Sequence, residues 1–362
     1  LIHRAFDCWL LSPAVETAHF DYNLPETAIA QTPIEPRDAA RLLRTHPLED
    51  RVFSDLPELL LPGDLIVVNR TRVRAARLRG VKSATGGAIE LLLTRRVDAE
   101  TWEALIRPAR RVRSGTRIEC GPIQGEVLTE PNRGEITISL TTATGDVEDA
   151  LAAVGEVPLP PYIHEPLRDG ERYQTLFAKE VGSAAAPTAA LHFTPGVVAA
   201  LSEKGIGITE VELEIGLDTF RPISSPTIAE HRMHTETWRL PEATATAIAA
   251  TRRRGGRVVA VGTTVVRTLE TAACGRGLVA AGSGDTELFI APGYRLRVVD
   301  VVLTNFHAPR TTLIVMIAAL LGDVWREIYQ HALAGQYRFL SFGDAMLIEE
   351  PVNARCDRVG VR

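Results

Sequence analysis

One change of rhythm constrains the fold of this chain more than any other feature. From about residue 64 to 140, short β-type runs follow one another: DLIVVN, ARLRG, AIELLLTR, TWEALIRP, TRIEC, GEVLTE and EITISL. Gly and charged turns break them, and no convincing helix lies between. Their spacing is near the roughly 8–12 residues typical of antiparallel barrels and sandwiches. EVPLPPYI at 156–163 ends the pattern, because Pro158, Pro160 and Pro161 favour extended backbone and forbid a helix. Beyond it, strands alternate with helices, the rhythm of a partly parallel sheet with helices packed on it. The β-rich block therefore reads as an insertion. The expected fold class is α/β: a mixed sheet with packed helices, plus an inserted antiparallel β-barrel domain. The expected domains are an N-terminal extension over 1–18, the α/β domain over 19–62 and 156–362, and the barrel over 63–155. A chain of 362 residues has volume for both bodies.

Composition excludes several classes. With 45% apolar and 23% charged residues, the chain falls in the ordinary globular range rather than the disordered or fibrous one. Cys8, Cys120, Cys274 and Cys356 form no CxxC pair, which argues against a disulfide framework or a cysteine zinc site and fits a reducing cytoplasm. The longest apolar run, residues 313–321, is far short of the roughly 20 a membrane span needs and reads as a buried helix. Residues 1–18 lack the basic start and long apolar region of a signal peptide, so a loose extension is expected there. The expectation is a cytoplasmic protein with no membrane association. A monomer is favoured. The net charge of −5 makes no bulk case for nucleic acid, so a polyanion partner needs a local basic patch.

Thr194 and Pro195 supply an N-cap and a first-turn proline for a helix ending near Gly205, followed by a strand over 206–215. A second unit comprises a helix over 242–254, a strand over 257–261, and a helix running through Glu270. A third runs from a strand over 296–303 into the helix of 313–321. Ligands in open α/β sheets gather beyond the carboxyl ends of strands, where helix N-termini present free N–H groups. Three segments have that form: APTAALHFT with Thr188 and His192, GTTVVRTLE with Thr263, Thr264 and Arg267, and TNFHAPRTT with Asn305, His307, Thr311 and Thr312.

Each of these residues has a plainer reading. Thr264, Thr311 and Thr312 can serve as helix caps, and a histidine in such a turn can be a packing residue. Two histidines in matching strand-to-helix settings favour chemistry. Arg267 and Glu270, three apart on a helix, read as a surface ion pair rather than a ligand clamp. His231, His234 and Glu236 in HRMHTE lack zincin spacing and an obvious further ligand, so no metal is expected. GxGxxG and Walker loops are absent, which leaves nicotinamide or nucleoside-triphosphate chemistry unsupported. Arg70, Arg72 and Arg74 alternate and would share one strand face, while Arg107, Arg110, Arg111 and Arg113 crowd a turn. Both clusters are either a solvated surface or a contact with phosphates, with Arg70, Arg72, Arg110 and Arg111 the candidate RNA contacts.

The motifs together resemble one family over nearly the whole chain after about residue 19: the S-adenosylmethionine:tRNA ribosyltransferase-isomerases of queuosine biosynthesis. The strings that carry the resemblance include FDYNLPETAIAQTPIEPRDAARLL, LLPGDLIVVNRTRV, LPPYI, RYQTLFA, APTAALHFT, HRMHTE, VVAVGTTVVRTLE, FIAPGY, VVDVVLTNFHAPRTTL and YRFLSFGDAMLI. The resemblance implies an α/β domain with an inserted barrel, acting on tRNA with an aminomethyl-deazaguanine at the wobble position. It implies transfer of the ribosyl part of S-adenosylmethionine to that amine, isomerisation to an epoxycyclopentanediol, and release of adenine and methionine. S-adenosylmethionine is then a consumed cosubstrate, and no other cofactor is expected. A sulfonium acidifies protons on the adjacent ribose carbon, so a positioned base can start the rearrangement, and adenine must be protonated as it leaves. Imidazoles suit both jobs. His192, His307 and Thr188 are the expected catalytic residues, with His192 the leading candidate. Pro187, Phe193, Gly262, Thr263, Thr264, Arg267, Asn305, Thr311 and Thr312 are the expected S-adenosylmethionine contacts.

Some positions depart from the family pattern. LEIGLDTF stands where the family reads LHVGxGTF, placing Glu214 at a histidine and Asp218 at a glycine; Ala190 replaces the glycine of APTAGLHF, and Arg70 the second asparagine of NNTR. An added methyl at Ala190 would narrow a close backbone approach or oppose positive φ. These changes are either tolerated drift or marks of a divergent S-adenosylmethionine-consuming enzyme with a small-molecule acceptor, since a carboxylate attracts a cationic amine and repels phosphate. A non-catalytic RNA-binding protein on the same fold is a third reading.

Overall fold

The computed structural model describes residues 15–143, 145–216, 221–275 and 277–352. The hairpin β1 (Arg41–Thr45) and β2 (Leu48–Val52) precedes a short helix, α1 (Leu56–Leu59), and the central strand β3 (Leu65–Asn69). From there β4 (Thr71–Val73) leads out of the sheet into six strands: β5 (Arg77–Lys82), β6 (Ala88–Arg96), β7 (Thr101–Arg107), β8 (Arg117–Cys120), β9 (Ile123–Val127) and β10 (Glu135–Thr142). Antiparallel pairing closes these six into a barrel. Alternation explains the closure: in β7, Trp102, Ala104 and Ile106 point inward and are buried, while their neighbours are more exposed. Helix α2 (Val147–Val154), capped by Asp146, adds Val147, Ala150 and Leu151 to the barrel core.

The chain re-enters the body through β11 (Glu180–Ser183), which lies parallel to β4. The alternating half follows: α3 (Pro195–Glu203), β12 (Gly207–Leu213), β13 (Glu236–Leu240), α4 (Glu242–Arg253), β14 (Val258–Val261) and α5 (Thr263–Thr271). A small hairpin of β15 (Ala273–Gly275) and β16 (Leu278–Val279) leads to β17 (Gly282–Thr286), β18 (Val301–Asn305), α6 (Thr312–Leu321), α7 (Trp325–Ala334) and β19 (Ala345–Ile348).

Among the described residues, nine strands form one mixed sheet in the order β17-β13-β12-β3-β14-β18-β19-β1-β2, with β12, β3, β14 and β18 mutually parallel. Every residue of β3, β14 and β18 is buried, as expected of parallel strands covered on both faces. Alternate residues enter opposite cores. Leu65, Val67 and Ala260 meet Ile248, Val265, Ile314 and Ile328 of the four helices α4–α7; Ile66, Val68 and Val261 meet Leu56, Val197 and Leu201 of α1 and α3. The α/β fold with an inserted barrel is therefore the observed architecture.

Three expectations need correction. DLIVVN, placed at the head of the barrel block, is the central strand β3 of the large sheet, because its unbroken apolar run suits burial on two faces. The extension over 1–18 is not loose from Glu16 onward: Glu16 bridges Thr227, and Thr17 is buried, with its hydroxyl donating to the Ser225 carbonyl at 2.7 Å. The strand expected over 296–303 begins only at Val301. The Glu270 carboxylate accepts the N–H groups of Arg297, Val298 and Val299 at 2.8–3.0 Å, which takes those donors out of any ladder.

Candidate active site

The cleft lies where the parallel strands end. Ile215 follows β12, Gly262 to Thr264 follow β14, and Thr304 to Ala308 continue β18; Ala186 to Ala189 and Tyr162 close one side, and Leu340 and Ser341 another. These residues border one cleft at the carboxyl ends of the parallel strands, the place where ligands gather in open α/β sheets. Gly262 makes the geometry possible. Its φ of +88° turns β14 directly into α5, a conformation that costs a side-chain-bearing residue dearly. Having no side chain, Gly262 leaves the first turn of α5 without a side-chain cap.

His307 borders the cleft and is held from several directions. Its Nε2 is 3.1 Å from the Thr304 hydroxyl, its N–H donates to the Tyr329 hydroxyl at 3.0 Å, and its carbonyl accepts from the Tyr22 hydroxyl at 2.5 Å. Burial pushes its imidazole down to about 3, so the ring is uncharged at neutral pH. His192, by contrast, does not border this cleft. It sits behind Asn305, against the Phe53 ring, and borders a smaller cavity with Arg37, Arg172, Leu191 and Phe342. Burial, then the charge of Arg338, lowers its imidazole to about 4, and a hydrogen bond to the Arg37 main chain opposes the shift. A relay connects it to the cleft: Asn305 Nδ2 lies 3.4 Å from His192 Nε2, and Asn305 Oδ1 accepts from the Thr188 hydroxyl at 2.8 Å.

A narrow side chamber lies beyond Thr263, Thr264 and Leu313, which border both spaces. Arg267, Thr312, His234 and Glu236 also line it. Arg267 and Glu270 are not the surface ion pair expected from their spacing. Both are buried, and Arg267 pairs instead with Glu236 across from β13, while Glu270 holds the backbone of 297–299. Glu236 also lies 3.1 Å from His234 Nε2. Among the described residues, no group of three or more His, Cys, Asp or Glu is placed to hold a metal ion.

A family model described as queuosine biosynthesis protein matches residues 17–348. The chain belongs to this family. Within the queuosine family it is similar to two proteins named S-adenosylmethionine:tRNA ribosyltransferase-isomerase. That of Moorella thermoacetica is 50% identical and that of Symbiobacterium thermophilum 48% identical, each over 336 residues spanning 91% of this chain and 98% of the relative. It is also similar to the crystal structure of S-adenosylmethionine tRNA ribosyltransferase from Thermotoga maritima: 35% identity, TM-score 0.51, 91% of this chain and 99% of that one.

The family motifs converge on the cleft unevenly. Pro187, Thr188, Gly262, Thr263, Thr264, Asn305, His307 and Thr311 line it, and Arg267 and Thr312 line the side chamber. Phe193 does not; it is buried between Phe53 and Phe177 in an apolar core. Ala190 is wholly buried in the same core and has no positive φ, so its methyl neither narrows the cleft nor strains the backbone. Glu214 is also absent from the cleft wall. Its carboxyl lies toward Gly182, with its pKa raised by desolvation and by Glu212 and Glu148, against the opposing charge of Arg74. Asp218 lies outside the described residues. Thr311 is a cap, accepting from the Ile314 N–H at 3.4 Å and donating to the Ala308 carbonyl at 2.8 Å.

The arginines divide as well. Arg70 is bound to Glu212 and lies near Glu180 and Glu210, Arg72 pairs with Glu171, and Arg74 with Glu148, so this row is neutralised within the fold. Arg110 and Arg111 are exposed on the barrel, with no ion-pair partner among the described residues. Tyr162 and Ser341, joined by a 2.7 Å hydrogen bond across the cleft wall, were missed as site residues. Their only signal was membership of LPPYI and YRFLSFGDAMLI, since neither precedes a helix.

Proposed function

We infer that this chain is an S-adenosylmethionine:tRNA ribosyltransferase-isomerase. It moves the ribosyl moiety of S-adenosylmethionine to 7-aminomethyl-7-deazaguanine in tRNA and isomerises it, giving epoxyqueuosine-tRNA, adenine and methionine. The observation that carries this reading is the convergence of the three strand-end motifs on one cleft, in a chain about half identical to proteins of that name.

His307, the imidazole on the cleft wall, takes the role of base. An uncharged ring has one nitrogen lone pair free to accept a proton. Its depressed pKa does not disqualify it: passing a proton from the carbon beside a sulfonium to imidazole exchanges one buried cation for another. The desolvation cost that opposes imidazolium is then largely offset, because the carbanion formed beside the sulfonium makes the reacting centre net neutral. His192 acts as a positioning residue. Its Nε2 orients the Asn305 amide so that Oδ1 takes the Thr188 proton, which leaves the Thr188 lone pairs to accept from ribose hydroxyls. S-adenosylmethionine is consumed as cosubstrate, and turnover is expected to survive prior treatment with EDTA.

The test is incubation of the purified protein with S-adenosylmethionine, with and without deazaguanine-bearing tRNA, following adenine and methionine by mass spectrometry. Release that depends on the tRNA is expected. Release with a small amine alone would overturn the acceptor, and tRNA binding without release would overturn the enzyme.

A further inference from the structure

We propose that the side chamber beyond Thr264 is a carboxylate subsite, holding the amino-acid end of the sulfonium cosubstrate while the nucleoside occupies the main cleft. This rests on the functional reading above and deepens it. Two helices of nine and ten residues, α5 and α6, begin on this chamber's wall. The first has no side-chain cap at all, and in the second the Thr311 side chain accepts only from Ile314. Their first-turn N–H groups and positive dipole ends suit an anion.

A helix end alone would be no site, but Thr264 supplies an independent observation. The residue is 7% exposed, it stands between cleft and chamber, and its Oγ1 is buried without a hydrogen-bond partner. A hydroxyl left in that state has lost its water without replacement, and a ligand oxygen would restore the missing hydrogen bond.

Arg267 is the nearer-looking anion binder, and the structure argues against it. Its Nη1 is bound to Glu236, its Nε to the Leu288 carbonyl at 3.1 Å, and its Nη2 to the Thr286 carbonyl at 3.3 Å. The guanidinium is thus engaged and neutralised, leaving the helix ends and Thr264 as the available donors. Besides Thr263, Thr264, Thr312, Arg267 and the paired His234 and Glu236, the wall is apolar: Met233, Leu288, Phe289, Ile290, Leu313 and Met316. An aliphatic chain ending in a carboxylate matches both parts. A purine matches the walls but has no anion for the donors.

Calorimetric titration with two nucleosides tests this. S-adenosylhomocysteine keeps the amino-acid end and 5′-methylthioadenosine lacks it. The wild type is expected to bind the first about tenfold or more tighter, and T264V to remove about tenfold from the first while leaving the second within about twofold. T264S should restore the difference, with a thermal melt confirming that each variant is folded. Equal loss for both nucleosides in T264V, or no loss for either, would overturn the subsite. So would equal binding of the two by the wild type, with the functional reading left standing. Binding of neither S-adenosylhomocysteine nor S-adenosylmethionine by the folded wild type would remove the functional reading and the subsite with it.

Discussion

His192 and His307 carry the same ring and similarly lowered pKa values, yet only His307 touches the cleft. Replacing it by glutamine is expected to lower kcat by about 10²–10⁴, the usual worth of a positioned base. H192Q should cost less and retain measurable turnover, because it disturbs the orientation of Asn305 rather than removing the acceptor. Both rings also tie stability to pH. Their folded pKa values, about 4 and about 3, lie below the unfolded value of 6.5. Between those limits the unfolded chain binds protons that the native state refuses. Their contribution is fully present above pH 6.5 and is lost as pH falls, by up to about 1.4 kcal/mol per unit per ring. Urea unfolding from pH 7 to pH 4 should show this slope, and H192Q should flatten it; an unchanged slope would mean that His192 titrates normally. The sequence marked both histidines and put His192 first; the strand-to-helix setting is the same for each, and which ring borders the cleft depends on Asn305, 113 residues from His192.

Helix α5 shows what a single element conceals. All residues from Thr263 to Glu270 are buried, including one arginine and one glutamate, so it cannot be a surface helix with an ion pair on its outer face. Each charge has a separate partner: Arg267 is bound to Glu236, and Glu270 to three consecutive backbone N–H groups. Breaking the Arg267–Glu236 pair on one side leaves a buried charge uncompensated. Either R267M or E236Q should therefore destabilise the protein by about 3–5 kcal/mol, and the double variant by less than the sum. Denaturant midpoints of the four proteins provide the cycle; strict additivity would show that the pair is uncoupled. The beginnings of α3 and α5 were legible from Thr194 and Pro195 and from Gly262, because caps and breakers act within a few residues. The beginning of β18 was not, because Glu270 claims the preceding donors from another element.

At the scale of the molecule, the two arginine clusters that look alike in the sequence have different surroundings. Arg70 is braced by three glutamates on the sheet side, whereas Arg110 and Arg111 are exposed on the barrel with no ion-pair partner among the described residues. R110E/R111E is expected to weaken tRNA binding and reduce its salt dependence by roughly one to two counter-ions, with affinity for S-adenosylmethionine unchanged. R70A should lower the melting temperature more than it lowers tRNA affinity. Filter binding across a salt series would distinguish these outcomes, and an unaltered salt slope in R110E/R111E would remove these residues from the RNA surface.

The sequence by itself determined the α/β class with an inserted barrel and the strand-end motifs, since hydrophobic period, prolines and cap residues operate locally. Tertiary structure alone decided which side chains meet: Thr188 with Asn305 across 117 residues, Arg267 with Glu236 across 31, and His307 rather than His192 at the cleft. Those pairings depend on the order and register of strands in the sheet, and no local propensity encodes which strand ends will lie side by side.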